Sequence, residues 1–282
     1  MLERLFQPQW AGGWTAARWA FALSALGAHL PRASHIGDAY GVTDMVFDVG
    51  PFHMANHVVL SEGSAWGLWW IATAALGLIL WGGRITKPVL LIWLVSTWLF
   101  LANEALSIKA YDRLLVWLAL GLLVGPTGER DLTQKWRSPV GRWVLVVVFS
   151  ALYLSTGWFK ALTEPAWWDG RALAYDLVHQ WFGSKPLGVW LSGHEWAMKI
   201  MSWWTLFFEC TFALFILFRK TNLLILLLGV GMHLGILFLM NVGPFSYVVF
   251  GAYPVLLHPE IARGLYVRWK HLRGQDPGAA AL

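Results

Sequence analysis

The chain has 282 residues, of which 57% are hydrophobic and 13% charged, against roughly 45–50% and 25% in an ordinary soluble domain. Lys and Arg total 21 against 16 Asp and Glu, a formal charge of +5, and there are 21 Trp. This composition excludes a secreted disulfide scaffold, a disordered chain, a nucleic-acid-binding module and an ordinary cytosolic enzyme. The lone Cys210 excludes an intrachain disulfide, a CxxC redox pair and a Cys-based structural zinc site.

A hydrocarbon core about 30 Å thick needs about 20 helical residues. Apolar runs of that order recur at 14–30, 64–82, 88–106, 111–125, 143–162, 200–218, 223–240 and 244–257. They predict an all-α, polytopic integral membrane helix bundle of about eight spans. The first run follows a polar stretch, carries Arg18 and lacks a small-residue cleavage site, so it reads as a span rather than a signal peptide. Residues 1–273 read as a single membrane domain and 274–282 as a disordered tail.

Charge sets the expected orientation. With both termini cytoplasmic, the inner side holds fourteen Lys and Arg and the outer side seven, as the positive-inside rule requires. The long loops 31–63 and 163–199 then face outward, which in a bacterial cell means the periplasmic side of the inner membrane. The second loop carries Trp167, Trp168, Trp181, Trp190 and Trp196, which suit amphipathic segments at headgroup level.

Ionisable groups inside spans are functional candidates by default. Lys160 lies near the outer end of the fifth run, Glu209 within the sixth and His233 within the seventh. At 1.5 Å per residue, Glu209 lies roughly 13 Å and His233 roughly 10 Å below the outer surface. Tyr153, Gly157 and Lys160 share one helix face at i, i+4 and i+7, where Gly157 is expected to leave an opening. This geometry allows an outward pocket lined by Lys160, Glu209 and His233. A neutral amine in apolar surroundings can act as a base, with Glu or His receiving the proton. The competing reading is that Lys160 snorkels to the headgroups and Glu209 bonds a neighbouring helix. His53 and His57, spaced i, i+4 with Asp48 nearby, have no fixed third ligand, so no metal site is expected. Gly231 and Gly235 form a GxxxG packing device. Asn103, Glu104, Lys109, Asp112 and Arg113 are expected to form a solvated turn.

Three segments carry a family resemblance: YLSTGWFKALTEPAWWDGRALAYDL at 153–177, FFECTFALFILF around Glu209, and MHLGILFLMNVGPFSYVVF at 232–250. In order and spacing they resemble the membrane domain of vitamin K-dependent gamma-carboxylase and the bacterial HTTM (horizontally transferred transmembrane) proteins. The resemblance implies that Lys160 is a base toward reduced vitamin K or menaquinol, with Glu209 and His233 supporting. Tyr111, Tyr153, Gly157, Trp168 and Ser246 would face the substrate. Tyr111 stands where the carboxylase has a His, and no large lumenal domain follows the last run, so carboxylation of a protein substrate is not expected to carry over whole. The leading expectation is a membrane protein that binds a lipophilic quinol-like molecule from its outer half. The alternatives are a non-catalytic partner or anchor of a separate redox protein, and a small-solute transporter.

Overall fold

The structure is a computed structural model that describes residues 8–40, 60–103, 109–130 and 136–274. Among the described residues the regular structure is helical apart from two two-residue strands, and the Cα framework forms two compact units, 1–141 and 142–282.

In the first unit the helices are α1 (Gly12–His29), the short α2 (Ile36–Ala39), α3 (Glu62–Trp81), α4 (Thr86–Asn103) and α5 (Ala110–Val124). A 3-10 turn, Leu30–His35, joins α1 to α2. Strands β1 (Gln9–Trp10) and β2 (Trp136–Arg137) pair antiparallel, Gln9 against Arg137. Helix α1 packs on α3 and α5, and α4 packs on both of those helices. Its small side chains Ala17, Ala22, Ala25 and Ala28 are buried and permit close helix approach.

Arg18 is fully buried in this unit. Its guanidinium donates to the carbonyls of Ile79, Leu80 (2.9 Å) and Glu129 (3.0 Å). Those at Ile79 and Leu80 belong to the last turn of α3, whose carbonyls lack helical partners. Gly82 ends that helix at φ 79°, and a Cβ there would meet the Arg18 guanidinium. At the opposite end of α1, His29 Nε2 donates to the Trp69 carbonyl (3.0 Å), while Trp69 Nε1 donates to the His29 carbonyl (3.1 Å).

The turn before α5 departs from expectation. Asp112 is buried rather than solvated: it accepts from Arg32 at 2.7 Å and from the Lys109 backbone N–H at 2.8 Å. The carboxylate both caps α5 and pairs with the 3-10 turn, which removes it from water. Glu104, Asp48, His53 and His57 lie outside the described residues.

The second unit holds α6 (Val140–Thr163), a 3-10 turn (Pro165–Trp167), α7 (Arg171–Val178), α8 (Pro186–Ser192), α9 (Glu195–Phe215), α10 (Arg219–Leu239), α11 (Phe245–Leu256) and α12 (Pro259–Leu272). At one end Trp167, Leu173, Leu177, Ala197, Met198, Leu206 and Leu239 form a core that seats α7 and α8. At the other, the Leu256 carbonyl accepts from Arg142 and from Asn222, each at 3.2 Å.

Among the described residues each of the eight apolar runs lies mainly in one helix. Of these, α3, α6 and α10 are long and apolar enough to cross a membrane. Helices α5 and α11 have 15 and 12 residues, only about 22 and 18 Å at 1.5 Å per residue. The segment 163–199, expected as an outer loop, is largely helical. Trp168, Trp181, Trp190 and Trp196 are exposed there, whereas Trp167 is buried.

Candidate functional site

The site is built on α6. Tyr153, Gly157 and Lys160 do share a face, but Gly157 opens no cavity. A Cβ at Gly157 would stand 2.7 Å from Glu209 Cβ and 2.9 Å from the Cys210 backbone N, so α9 fills that space. The glycine acts by letting the two helices approach. Lys160 Nζ thereby reaches Glu209 and donates to both carboxylate oxygens, at 2.7 and 2.8 Å. The side chains are 22% and 8% exposed, so the pair is largely withdrawn from solvent.

Beyond the pair the chain folds back over Lys160. The 3-10 turn places the Trp167 ring 4.6 Å from Nζ, within cation–π range. Trp167 Nε1 donates to Glu164 Oε2 at 2.8 Å, which fixes the indole. Gly170, at φ 83°, allows the chain to turn into α7 while lying against the Met198–Lys199 backbone. Helix α7 buries Leu173 and Leu177. Its Ala172, Tyr175 and Asp176 line an open pocket of about 630 Å³ together with Ser155, Thr156, Phe159, Lys160, Glu164 and Trp167. Burial holds the Asp176 carboxyl above the usual carboxylate range, against the pull of Lys160. On the solvent side of the same turn, the Arg171 backbone N–H and guanidinium hold Asp169 below it.

This arrangement sets three carboxyl groups, Glu209, Glu164 and Asp176, around one amine under an aromatic lid. Such a site accepts hydrogen bonds and protons more readily than it binds an anion. The volume lies within the range of small-molecule pockets.

The expected third member stands elsewhere. His233 is fully buried, and neither it nor Tyr153 nor Ser246 lines the pocket. Its Nε2 hydrogen-bonds the Tyr153 hydroxyl at 2.9 Å, and the Ser246 hydroxyl donates to the His233 carbonyl at 2.9 Å. Tyr153 lies one helical turn from Gly157, about 6 Å along α6, and the Phe208 and Phe212 rings close around it. Those two flank Glu209 on α9 and fill the depth at which the three ionisable groups were expected to meet.

Trp168 is 53% exposed and pins the turn, donating to the Ala161 carbonyl and accepting on its own carbonyl from Trp203. Tyr111 lies on α5 in the first unit. Of the GxxxG pair, Gly231 packs on Trp204, while Gly235 meets open space. Among the described residues no group of three His, Cys, Asp or Glu is arranged to hold a metal ion. Sequence reasoning missed Thr156, Glu164 and Asp176. Glu164 stood four residues from Lys160, and Asp176 on the polar face of an amphipathic stretch.

No curated protein and no solved structure matches the chain. A family model, the HTTM domain, matches residues 69–260, which is more than half of the chain and takes in every residue of the pocket. With its long apolar helices, the chain is a membrane protein and belongs to the HTTM-domain family.

Proposed function

We propose that the pocket binds the reduced ring of a lipophilic quinol-like molecule, reduced vitamin K or menaquinol being the model compounds, and that the Lys160–Glu209 pair takes its hydroxyl proton. The supporting observation is the bidentate contact between Nζ and Glu209 beneath the open pocket. A proton arriving at Lys160 from a substrate hydroxyl is balanced by one passing from Nζ to the Glu209 carboxylate. The pair then carries one added positive charge, beside the oxyanion that forms. In a low-dielectric site that charge stabilises the anion far more than it would in water. Trp167 walls the pocket beside Lys160, while Glu164 and Asp176 offer acceptors to a second hydroxyl.

A second reading is that Lys160 and Glu209 are purely an interhelical tie, and that the protein is a non-catalytic partner of a separate redox protein. The engagement of both carboxylate oxygens by one amine favours it. Photo-crosslinking separates the two. An azido-menaquinone should label peptides within 155–176, and excess menaquinol should compete. Labelling spread over the lipid-facing helices without competition would contradict the binding reading.

A further inference from the structure

Helix α12 leaves three residues after the end of α11 and turns sharply. Leu257 and His258 are extended, His258 Nδ1 accepts from the Glu260 backbone N–H at 3.3 Å, and Pro259 opens the helix. At 100° per residue, Ile261, Ala262, Leu265, Tyr266, Trp269 and Leu272 fall within an arc of about 140°. Part of that arc is used inside the unit, since Ala262 is buried and α12 touches α10. The rest is bare: Leu265 is 49%, Trp269 38% and Leu272 87% exposed.

The charges are placed around this stripe. On the same projection Arg268 lies at one edge and Lys270 at the other. The Arg273 guanidinium stacks on Trp269 at 4.4 Å. Glu260, the sole acidic residue of α12, is occupied by Arg219 at 2.6 Å. The helix therefore presents a bare apolar stripe flanked by cations with no acidic residue left to offset them. Cations at both edges of such a stripe are how a helix lies in a headgroup plane, with aliphatic stems on the apolar side and charges reaching outward.

We propose that α12 is a binding site for anionic phospholipid headgroups, lying in the membrane interface with Leu265, Trp269 and Leu272 in the acyl boundary and Arg268, Lys270 and Arg273 on the phosphates. The site is separate from the Lys160 pocket and holds whether or not that pocket binds a quinol. It fixes where the chain leaves the bilayer, and it makes the lipid composition of that leaflet a ligand of the protein.

The test uses the full-length chain with Cys210→Ser, carrying one reporter cysteine. Leu272→Cys reports the apolar face and His271→Cys the polar face, each with a polarity-sensitive fluorophore. The protein is reconstituted into vesicles of phosphatidylcholine alone, or mixed with phosphatidylglycerol. The expected result is an apolar signal at 272, an aqueous signal at 271, and stronger quenching at 272 by spin-labelled phosphatidylglycerol than by spin-labelled phosphatidylcholine. Neutralising Arg268, Lys270 and Arg273 to Gln should lower that preference by about fivefold per cation. Equal polarity at 271 and 272 would overturn the proposal. So would a lipid preference unchanged in the neutralised variant, or burial at 272 that is independent of lipid, as a second copy of the chain would produce.

Discussion

Lys160 and Glu209 are each other's main solvation, bonded at 2.7 and 2.8 Å with side chains 22% and 8% exposed. Breaking such a pair leaves an uncompensated charge, at a cost of about 3–5 kcal/mol, whereas removing both charges costs far less. Thermal unfolding should therefore show Glu209→Gln and Lys160→Met each strongly destabilised, and the double variant recovering most of the loss. Additive losses would mean the pair does not form. Gly157→Ala tests the same contact through the backbone. Its Cβ would stand 2.7 Å from Glu209 Cβ with the Cys210 backbone behind it, so overpacking should cost about 1–3 kcal/mol. Tolerance of that substitution without loss of melting temperature would contradict the α6–α9 approach. At this scale the sequence was informative for the pair, because two intramembrane charges need a partner. It misplaced His233 because helix depth along the chain says nothing about the rings packed between helices. Phe208 and Phe212 occupy that space.

Among the elements, the turn from Trp167 to α7 shapes the pocket. Gly170 sits at φ 83° against Met198 and Lys199. Gly170→Ala combines the left-handed penalty of about 1–2 kcal/mol with a backbone clash, and should loosen α7 more than the long helices. Hydrogen exchange resolved by segment would detect it as faster exchange in 164–178; unchanged exchange there would count against the packing. The 163–199 segment looked like a loop in sequence because α7 and α8 have only 8 and 7 residues, too short for a clear apolar period. At the other end of this unit, His258 caps α12, and burial together with Arg142 lowers its imidazole below the usual value. A folded-state value below the unfolded one means the unfolded chain binds the proton more readily. Stability from this corner is then complete above about pH 6.5 and is lost as pH falls through that value toward the lowered one. Melting temperature followed from pH 7.5 down to 5.5 should fall more in the parent chain than in His258→Asn. Equal slopes would remove His258 from the account.

For the whole molecule, the composition announced a membrane helix bundle, and among the described residues the apolar runs are mainly helical. Span number was less legible. Helix α1 carries buried Arg18, whose guanidinium is solvated by the backbone carbonyls of Ile79, Leu80 and Glu129, a compensation that no hydropathy average anticipates. Asp112 with Arg32 is the same kind of case: charges 80 positions apart that cancel only after folding. The expected orientation, with both termini cytoplasmic, is drawn from the fourteen-to-seven basic bias alone. A C-terminal fluorescent fusion should therefore glow in the cytoplasm, and a reporter cysteine at Trp181 should react with an impermeant thiol reagent from outside. The reverse pattern would invert the assignment and move the Lys160 pocket to the other face.

The most direct measurement is turnover on the full-length protein in lipid nanodiscs. Reduced vitamin K or menaquinol is supplied with oxygen and bicarbonate, and quinone and epoxide are separated by chromatography. The parent chain is compared with Lys160→Met and with the folded double variant Lys160→Met/Glu209→Leu. Product is expected from the parent chain alone, with the double variant folded and still able to be labelled by the azido-quinone. Equal product from all three, or binding and turnover absent in a folded parent chain, would contradict a proton-accepting role for the Lys160–Glu209 pair and leave it an interhelical tie.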